Sequence, residues 1–326
     1  MKLLITGGLG FIGSNFILNI LKQKPSFEIV NIDAELLGSN PDNLHELKNS
    51  KNYHYVKGNI TNKTQMENLI SKSDAVINFA AESHVDRSIL DANQFLVSNI
   101  RGTYTILEIL RKHKKRFIQI STDEVYGSLE NGSAIETTRF SPSNPYAATK
   151  ASAELLVNSY VNTFDLDCII TRCTNNYGPR QFYEKLIPKT IFLANQNNKI
   201  PLYGNGQNIR DWIFVDDHCD AIHKILLDGK SGESYNISSN NELDNLLIVK
   251  TILEIMGKSN DLIEFVDDRP GHDQRYSLDS SKIRHELNWK NKVSFEDGLK
   301  NTIDWFLTQS KTNNIQKETL SSTPWK

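Results

Sequence analysis

A glycine-rich turn follows the first apolar segment of the chain and opens a helical pattern. Residues 3–6 predict a β-strand, and the glycines after it satisfy both Gly-x-Gly-x-x-Gly (8, 10 and 13) and Gly-x-x-Gly-x-x-Gly (7, 10 and 13). Glycine is needed because the turn is tight, a pyrophosphate approaches the backbone, and the helix packs closely on the strand. The free N–H groups of the helix start then face the anion. The turn therefore predicts a dinucleotide-binding strand–turn–helix unit, whereas a glycine-rich turn with no ligand is the alternative.

An acidic residue favours NAD over NADP as the dinucleotide. Asp33 ends the second predicted strand, 20 residues after Gly13. A carboxylate at this place accepts hydrogen bonds from the ribose hydroxyls and repels a 2′-phosphate.

Short apolar runs alternate with helical patterns in the first half of the chain. This alternation predicts an α/β fold, a doubly wound parallel (Rossmann) sheet in residues 1–173. Ligands of such sheets bind at the carboxyl ends of the strands, so we expect this domain to bind NAD and to hold the catalytic residues. From residue 174 to 309 we expect a smaller α+β lobe that binds substrate, with some segments returning to the first domain, and then a polar tail at 310–326. The predicted strands are residues 3–6, 28–32, 53–57, 75–79, 116–121 and 168–172.

Composition excludes several classes of protein. The net charge is −2, from 37 basic and 39 acidic residues, so we expect no nucleic-acid partner. No apolar run reaches the roughly 20 residues that cross a bilayer, and the apolar start is too short for a secretion signal. The three cysteines, Cys168, Cys173 and Cys219, have neither disulfide-framework nor metal-ligand spacing. The sequence thus predicts a cytoplasmic protein with no membrane contact and no metal.

Tyr146 and Lys150 are a candidate acid–base pair. Their i, i+4 spacing places phenol and ammonium on one helix face. A nearby cation stabilises phenolate, which lowers the pKa of the tyrosine and lets it take a proton from an alcohol. The pattern is common by chance, so an exposed tyrosine beside a solvated lysine is the alternative.

Adjacent carboxylates follow the fifth predicted strand. Asp123 and Glu124 come after Thr122 on the ligand side of the sheet. Successive side chains of an extended segment point in different directions, so we expect the two carboxyl groups to reach different substrate atoms and to differ in protonation. A solvated acidic loop or a helix cap is the alternative.

With these three motifs in order, the chain resembles the nucleoside-diphosphate-sugar 4,6-dehydratases of the extended short-chain dehydrogenase/reductase superfamily. The resemblance covers about residues 1–307. Asp123-Glu124 discriminates most, because 4-epimerases of the superfamily have a Ser/Thr pair in this region. The resemblance implies a nucleoside-diphosphate hexose as substrate and bound NAD as cofactor. The implied reaction oxidises C4, eliminates water across C5 and C6, and reduces C6.

The resemblance also assigns the roles of the catalytic residues. Tyr146, assisted by Lys150, removes the 4-hydroxyl proton, and Thr122 hydrogen-bonds the 4-oxygen. Glu124 removes the C5 hydrogen as base, and protonated Asp123 donates to the departing C6 hydroxyl.

Further matches imply the binding residues. The implied cofactor contacts are Gly7, Gly10, Phe11, Ile12, Gly13, Asp33, Asn59, Ile60, Ala80, Ala81, Asn99, Tyr146 and Lys150. The implied substrate contacts are Ser83, His84, Thr122, Asn175, Lys185, Pro201, Tyr203, Arg210, Asn245, His272 and Arg275. Three of these, Lys185, Arg210 and Arg275, can neutralise a diphosphate, and the Tyr203 ring offers a flat face to a pyrimidine.

The chain departs from the family pattern near the expected adenosine contacts. Residues 34–40 read Ala-Glu-Leu-Leu-Gly-Ser-Asn in place of Lys-Leu-Thr-Tyr-Ala-Gly-Asn, and Asn59 replaces the usual aspartate. We expect the amide oxygen of Asn59 to accept the hydrogen bond that the aspartate accepts. Tyr183 replaces a proline in the loop before Glu184.

Several alternatives stay open. The match at Pro201 and Tyr203 favours dTDP-glucose as the substrate, and UDP-glucose or another UDP-sugar is the second choice. A 4-epimerase or a UDP-sugar decarboxylase shares the glycine turn and the Tyr/Lys pair, and a non-catalytic NAD-binding protein is a third possibility. The helical patterns at 95–110 and 146–164 correspond to the family's dimerisation helices and predict a homodimer.

Overall fold

The computed structural model describes residues 1–309; the polar tail predicted for residues 310–326 lies outside the described residues. Within that range, no helix is both long enough and apolar enough to pass through a bilayer.

The strands form one large sheet and two small ones. The large sheet has seven parallel strands in the order β10-β6-β5-β4-β1-β2-β3. A three-stranded sheet has the order β11-β9-β7, and β12 pairs with β8. The strands are β1 Lys2–Thr6, β2 Glu28–Asp33, β3 Tyr53–Lys57, β4 Ala75–Asn78, β5 Arg116–Ile120, β6 Cys168–Cys173, β7 Asn175–Tyr177, β8 Ile200–Tyr203, β9 Ile209–Phe214, β10 Ser234–Ile237, β11 Glu242–Asp244 and β12 Ile263–Val266.

Helices cover both faces of the large sheet. One face packs α1, α8 and α10, and the other packs α2, α5 and α6. The helices are α1 Phe11–Gln23, α2 Lys63–Ser71, α3 Val85–Leu90, α4 Asn93–Phe95, α5 Thr103–His113, α6 Pro145–Phe164, α7 Leu186–Asn195, α8 Val215–Asp228, α9 Asn245–Ile255, α10 Ser281–Leu287 and α11 Phe295–Gln309.

Alternation along the strands explains this two-layer arrangement. Leu3 and Ile5 of β1 point into the core under α1 and α8, whereas Leu4 points into the core under α2 and α5. In a strand that is buried on both faces, consecutive residues are apolar. This explains the short continuous apolar runs in the sequence of the first half. The predicted α/β doubly wound sheet is confirmed.

The second half of the chain contributes to both regions. Strand β10 pairs with β6, and α8 packs on α1, so both return to the large sheet. The two small sheets and helices α7, α9 and α11 share their own core, which includes Tyr177, Trp212 and Phe214. This lobe lies against the carboxyl edge of the large sheet, since β7 directly follows β6.

Two short turns depart from the regular pattern. Residues Leu96–Gly102 form a π-helical turn that joins α4 to α5, and Asp123–Tyr126 form a 3₁₀ turn after β5. π turns inside helices occur frequently at functional sites. Both turns lie beside the cavity described next.

Candidate active site

A cavity runs along the carboxyl ends of the large sheet, from the glycine turn to the end of β6. Helix α1, which follows β1, lies at one end of the cavity. The 3₁₀ turn and helix α6 lie at the other end. The five predicted catalytic residues, of which Tyr146 and Lys150 are also predicted cofactor contacts, and ten further predicted cofactor residues line it: Thr122, Asp123, Glu124, Tyr146, Lys150, Gly7, Gly10, Phe11, Ile12, Gly13, Asp33, Asn59, Ile60, Ala80 and Ala81. Besides Thr122, four predicted substrate residues, Ser83, His84, Asn175 and Lys185, line it as well.

The glycine turn is closed to larger side chains. A Cβ atom on Gly13 would lie 2.5 Å from the carbonyl oxygen of Gly7 and 2.9 Å from the Cα of Gly8. Gly7 itself has φ +68°, a left-handed conformation that favours glycine. No side chain caps the start of α1 at Gly10, so the first N–H groups of the helix face the cavity and fit a diphosphate.

Asp33 is fixed at the end of β2. Its carboxylate accepts from the backbone N–H of Leu9 (2.9 Å) and of Glu35 (2.9 Å) and from the hydroxyl of Ser39 (2.7 Å). Lys57, on the neighbouring strand, pairs with Glu35. The carboxylate therefore fits ribose hydroxyls and disfavours a 2′-phosphate.

The Asp123-Glu124 pair lies on the 3₁₀ turn, so the prediction of an extended segment is wrong. Thr122 is the extended residue, and its hydroxyl accepts from the Glu124 N–H (3.3 Å) and donates to Asp123 Oδ1 (3.1 Å). A hydroxyl that bonds the backbone two residues later favours a turn over a strand. The two carboxyl groups still differ in surroundings, because Asp123 is buried and Glu124 is half-buried.

Burial keeps Asp123 protonated. Burial, and next the charge of Glu124, raise the pKa of Asp123 to about 8. Its Oδ2 is buried and has no hydrogen-bond partner among the described residues. Glu124 instead accepts from the Asn144 amide at 3.2 Å and lies 3.5 Å from the Tyr276 hydroxyl. The pair thus combines a neutral acid with a carboxyl group held by polar neighbours, as acid–base chemistry requires.

Tyr146 and Lys150 are both buried, which excludes the solvent-exposed alternative. Burial and the charge of Glu124 raise the pKa of Tyr146, whereas a hydrogen bond with Thr122 lowers it. The pKa of Tyr146 is therefore raised rather than lowered as expected, and Lys150 is not among the causes of the shift. Lys150 Nζ donates to the Ile120 carbonyl at 2.6 Å, and burial lowers its pKa to about 8.

A buried ion pair joins the helix of Tyr146 to the central sheet. Arg172, on β6, donates to Glu154 of α6 at 2.7 and 2.9 Å, with 3% and 0% of the two side chains exposed. Arg172 also donates to the hydroxyl of Tyr126 at 2.6 Å. Because Tyr126 ends the 3₁₀ turn, this network fixes the Asp123-Glu124 pair relative to α6.

Asn99 does not line the cavity. It lies in the π turn, where its amide oxygen accepts from the Glu82 N–H (2.9 Å) and its amide group donates to the Glu82 carbonyl (3.0 Å) and to Thr149 (2.9 Å). Because all these polar atoms are engaged within the chain, the structure assigns Asn99 to positioning Glu82, a cavity residue, rather than to direct contact.

Asn59 lines the cavity, but its amide oxygen is not free. The oxygen accepts from the N–H and the hydroxyl of Thr61, each at 2.9 Å. The expectation that this oxygen accepts a hydrogen bond from a bound base is therefore wrong, since both lone pairs are engaged.

Three cations lie around Glu124. The charge of Glu124 acts on Lys185, Arg210 and Arg269. Lys185 donates to the Ser83 carbonyl at 3.0 Å. Arg210 stacks 4.3 Å from the centre of the Tyr276 ring. Such a group of partly desolvated cations fits the charge of a diphosphate.

Arg275 has other partners. Its guanidinium donates to both oxygens of Glu242 at 2.7 and 2.8 Å and to the Gly132 carbonyl at 2.8 Å. The guanidinium N–H groups that would bind a phosphate in bidentate fashion are already bound to Glu242. Arg269, which was not predicted from the sequence, lies near Glu124 instead of Arg275.

The remaining predicted substrate residues, Pro201, Tyr203, Asn245 and His272, do not line the cavity. The Tyr203 hydroxyl donates to Asp86 (3.2 Å), which also accepts from Arg269 (3.0 Å). The ring of His272 packs edge-on against Tyr203 with centroids 6.4 Å apart. Pro201 lies two residues before Tyr203 on β8, whereas Asn245 begins α9.

His84 is a neutral histidine. Burial, followed by the charge of Lys185, lowers the pKa of His84 to about 3. Its Nε2 lies 3.1 Å from Glu184, and its Nδ1 is buried without a partner among residues 1–309. A neutral ring that donates through Nε2 leaves Nδ1 as an acceptor for a hydroxyl group.

A family model supplies the deciding observation. The model described as GDP-mannose 4,6 dehydratase matches residues 4–302. The chain belongs to this family.

Known proteins similar to this family member match almost the whole chain. Low-salt glycan biosynthesis protein Agl12 of Haloferax volcanii is 47% identical, covering 94% of this chain and 99% of its own. A dTDP-glucose 4,6-dehydratase of Salmonella typhimurium is 41% identical, covering 99% and 97%. The crystal structure of a dTDP-glucose 4,6-dehydratase of Streptomyces venezuelae with NAD and TYD bound is 40% identical, with a TM-score of 0.93 over 95% of this chain and 98% of that one.

Four residues around the site of this family member were not predicted from the sequence. Asn144 and Tyr276 contact Glu124, and Asp86 and Arg269 pair with each other. Arg269 and Tyr276 lie in the same short segment as the predicted substrate residues His272 and Arg275, and Asn144 immediately precedes the start of α6. The sequence pointed to this segment, but only the fold shows which of its side chains lie near Glu124.

Proposed function

We propose that the chain dehydrates dTDP-glucose to its 4-keto-6-deoxy derivative with bound NAD. One observation carries the proposal: the neutral acid Asp123 and the carboxyl group of Glu124 share a cavity with Tyr146 and Lys150. Oxidation alone needs only the last two residues. The additional acid and base are what an elimination of water requires.

The cofactor side of the cavity fits NAD. The glycine turn and the start of α1 would hold its diphosphate, and Asp33 would hold the adenosine ribose. When bound, NAD accepts hydride from C4 of the sugar and returns it to C6. The Streptomyces venezuelae enzyme, which was crystallised with NAD, supports this choice.

Tyr146, Lys150 and Thr122 act at the 4-hydroxyl group. Tyr146 takes the proton from that hydroxyl, and Thr122 hydrogen-bonds the same oxygen. Burial and Glu124 both oppose a phenolate at Tyr146, so the reaction depends on the compensating positive charge of the Lys150 ammonium on the same helix face.

Asp123 and Glu124 perform the elimination. Once C4 is a ketone, the C5 hydrogen is acidic, and the Glu124 carboxylate removes it as a proton. The electron pair forms the C5–C6 double bond as the C6–O bond breaks. Asp123 donates its proton to the departing hydroxyl, which leaves as water. When hydride adds at C6, Glu124 returns a proton to C5, and that proton can have exchanged with solvent.

The substrate side fits a nucleoside diphosphate. Lys185, Arg210 and Arg269 would neutralise the diphosphate, and Tyr203 would lie beside the base. The curated relative of Salmonella typhimurium is named for dTDP-glucose, which supports thymidine over uridine as the nucleoside.

Incubation with dTDP-glucose and with UDP-glucose, in separate reactions, tests the proposal. We expect a product that has lost the mass of one water and that shows the alkaline absorbance of a keto sugar, with dTDP-glucose turned over faster. A product of unchanged mass indicates a 4-epimerase. No turnover of either sugar nucleotide contradicts the proposal.

The proposal includes a cytoplasmic homodimer. Helices α5 and α6 pack side by side and leave Tyr104 and Leu155 exposed, at 47% and 61%. Large apolar side chains exposed on two neighbouring helices are typical of an interface. The cysteines of the described chain are free thiols, which fits the reducing cytoplasm.

A further inference from the structure

Asn59 lies where the adenine base of the proposed NAD would bind. The glycine turn follows β1, Asp33 ends β2, and Asn59 comes two residues after the end of β3, while the catalytic residues lie on the other side at β5 and α6. A dinucleotide with its reacting ring at Tyr146 and its ribose at Asp33 therefore directs its adenine toward β3.

The walls at this end of the cavity fit a planar base. Leu36, Leu37 and Ile60 line the cavity here, and the two leucines remain 48% and 46% exposed. Large apolar side chains left half exposed in a cavity favour an apolar or aromatic ligand. Asn59 is thus a polar side chain beside an apolar slot.

The orientation of the Asn59 amide is fixed by Thr61. A backbone N–H is an obligatory donor, so the atom 2.9 Å from the Thr61 nitrogen must be the amide oxygen. The Thr61 hydroxyl donates to the same oxygen at 2.9 Å. Thr61 does not line the cavity, whereas Asn59 does. Because Thr61 engages the amide oxygen, the side-chain polar group of Asn59 that remains for a ligand is its NH₂, which only donates.

We propose that Asn59 presents a hydrogen-bond donor to the edge of the bound base, so that this site does not select for the 6-amino group of adenine. The 6-amino group also donates and gains no acceptor from Asn59. A purine with a 6-oxo group, such as hypoxanthine, accepts a hydrogen bond there. Turning the amide over would leave the Thr61 N–H without its acceptor, which costs free energy. The inference rests on the proposed use of NAD.

Binding of two dinucleotides to the protein freed of cofactor tests the inference. Dissociation constants for NAD and for nicotinamide hypoxanthine dinucleotide are measured by calorimetry on the wild type, Asn59→Asp and Asn62→Asp. We expect the wild type to bind the two within about threefold of each other. In Asn59→Asp, one carboxylate oxygen accepts from Thr61 and the other faces the base, so we expect a preference for NAD of about tenfold or more.

Asn62→Asp is the matched control. Asn62 caps α2 through its side-chain oxygen, which an aspartate retains, and it does not line the cavity. It adds the same charge three residues away, so we expect the wild-type ratio. A wild-type preference for NAD of tenfold or more overturns the inference, as does an unchanged ratio in Asn59→Asp. If neither dinucleotide binds the wild type, the proposed function fails, and the inference falls with it.

Discussion

Asp123 shows why burial decides the role of a residue. The sequence shows adjacent Asp and Glu residues, but it cannot show which of the two side chains is buried away from solvent. The fold buries Asp123 to 3% exposure and leaves its Oδ2 unpartnered among the described residues. That difference supports the proposed roles of Asp123 as the acid and Glu124 as the base.

The raised pKa of Asp123 predicts a pH-dependent cost to stability. Between about pH 4 and about pH 8 the unfolded chain has lost this proton and the folded chain keeps it. Folded wild type then binds more protons than the unfolded chain, so its stability falls as the pH rises, by at most about 1.4 kcal/mol per pH unit. The amide side chain that Asp123→Asn introduces cannot titrate, so the variant lacks this cost.

Urea unfolding of the wild type and Asp123→Asn measures this effect. We expect the free energy of unfolding of the variant, relative to wild type, to rise between about pH 5 and about pH 8 and to level off above that. Parallel pH profiles for the two proteins would show that Asp123 has an ordinary pKa.

The glycine turn is the element that the sequence predicted best. Its spacing, its strand and its helix are all present, because the requirement for glycine arises from backbone contacts within a few residues. The 3₁₀ turn and the π turn were not predicted. The π turn depends on contacts with distant residues, such as Asn99 with Thr149, and local patterns carry no information about those. The 3₁₀ turn has a local signal, the Thr122 hydroxyl that accepts from the Glu124 N–H.

Gly13→Ala and Gly10→Ala separate the two roles of the turn. A Cβ atom added at Gly13 would meet backbone at 2.5 Å, whereas one added at Gly10 has only the Gly7 oxygen, at 3.3 Å. We expect Gly13→Ala to lower the free energy of unfolding by about 1–3 kcal/mol and Gly10→Ala to change it by less than about 1 kcal/mol.

Chemical denaturation without cofactor measures both variants. Equal losses of stability in the two would contradict the close packing of α1 on the strand. Calorimetry with NAD then shows whether Gly10→Ala weakens NAD binding without lowering stability. We expect this result if a methyl group at position 10 obstructs the diphosphate.

At the scale of the molecule, the sequence predicted the sheet better than the substrate lobe. Strand positions follow from apolar runs, whereas the choice of phosphate-binding cations depends on pairing across the fold. Arg275 is engaged by Glu242, and Arg269 lies beside Glu124 in its place. Both arginines belong to one short segment, so no local pattern distinguishes them.

The exposed apolar side chains on α5 and α6 predict which substitution dissociates the proposed dimer. Leu155 is 61% exposed on α6, and a glutamate there would place a charge in the proposed interface. We expect Leu155→Glu to shift the protein toward the 37.1 kDa monomer. Leu247→Glu, at a 45% exposed position on α9, is the control and should leave the dimer intact.

Light scattering at several protein concentrations measures the mass of each variant. A wild type that is monomeric at all concentrations, or a Leu155→Glu variant with the mass of the wild type, would contradict this interface.

The fate of the C5 hydrogen tests the central claim, that the Asp123-Glu124 pair eliminates water. In D₂O with dTDP-glucose, we expect the wild-type product to lose one water and to gain one solvent deuterium at C5, as read by mass spectrometry and NMR. Glu124→Gln should form this product about 10²–10⁴-fold more slowly, whereas Glu130→Gln, at an exposed position after the same turn, should match the wild type. A wild-type product with its original C5 hydrogen, or a deuterated product formed by Glu124→Gln at the wild-type rate, would contradict the account.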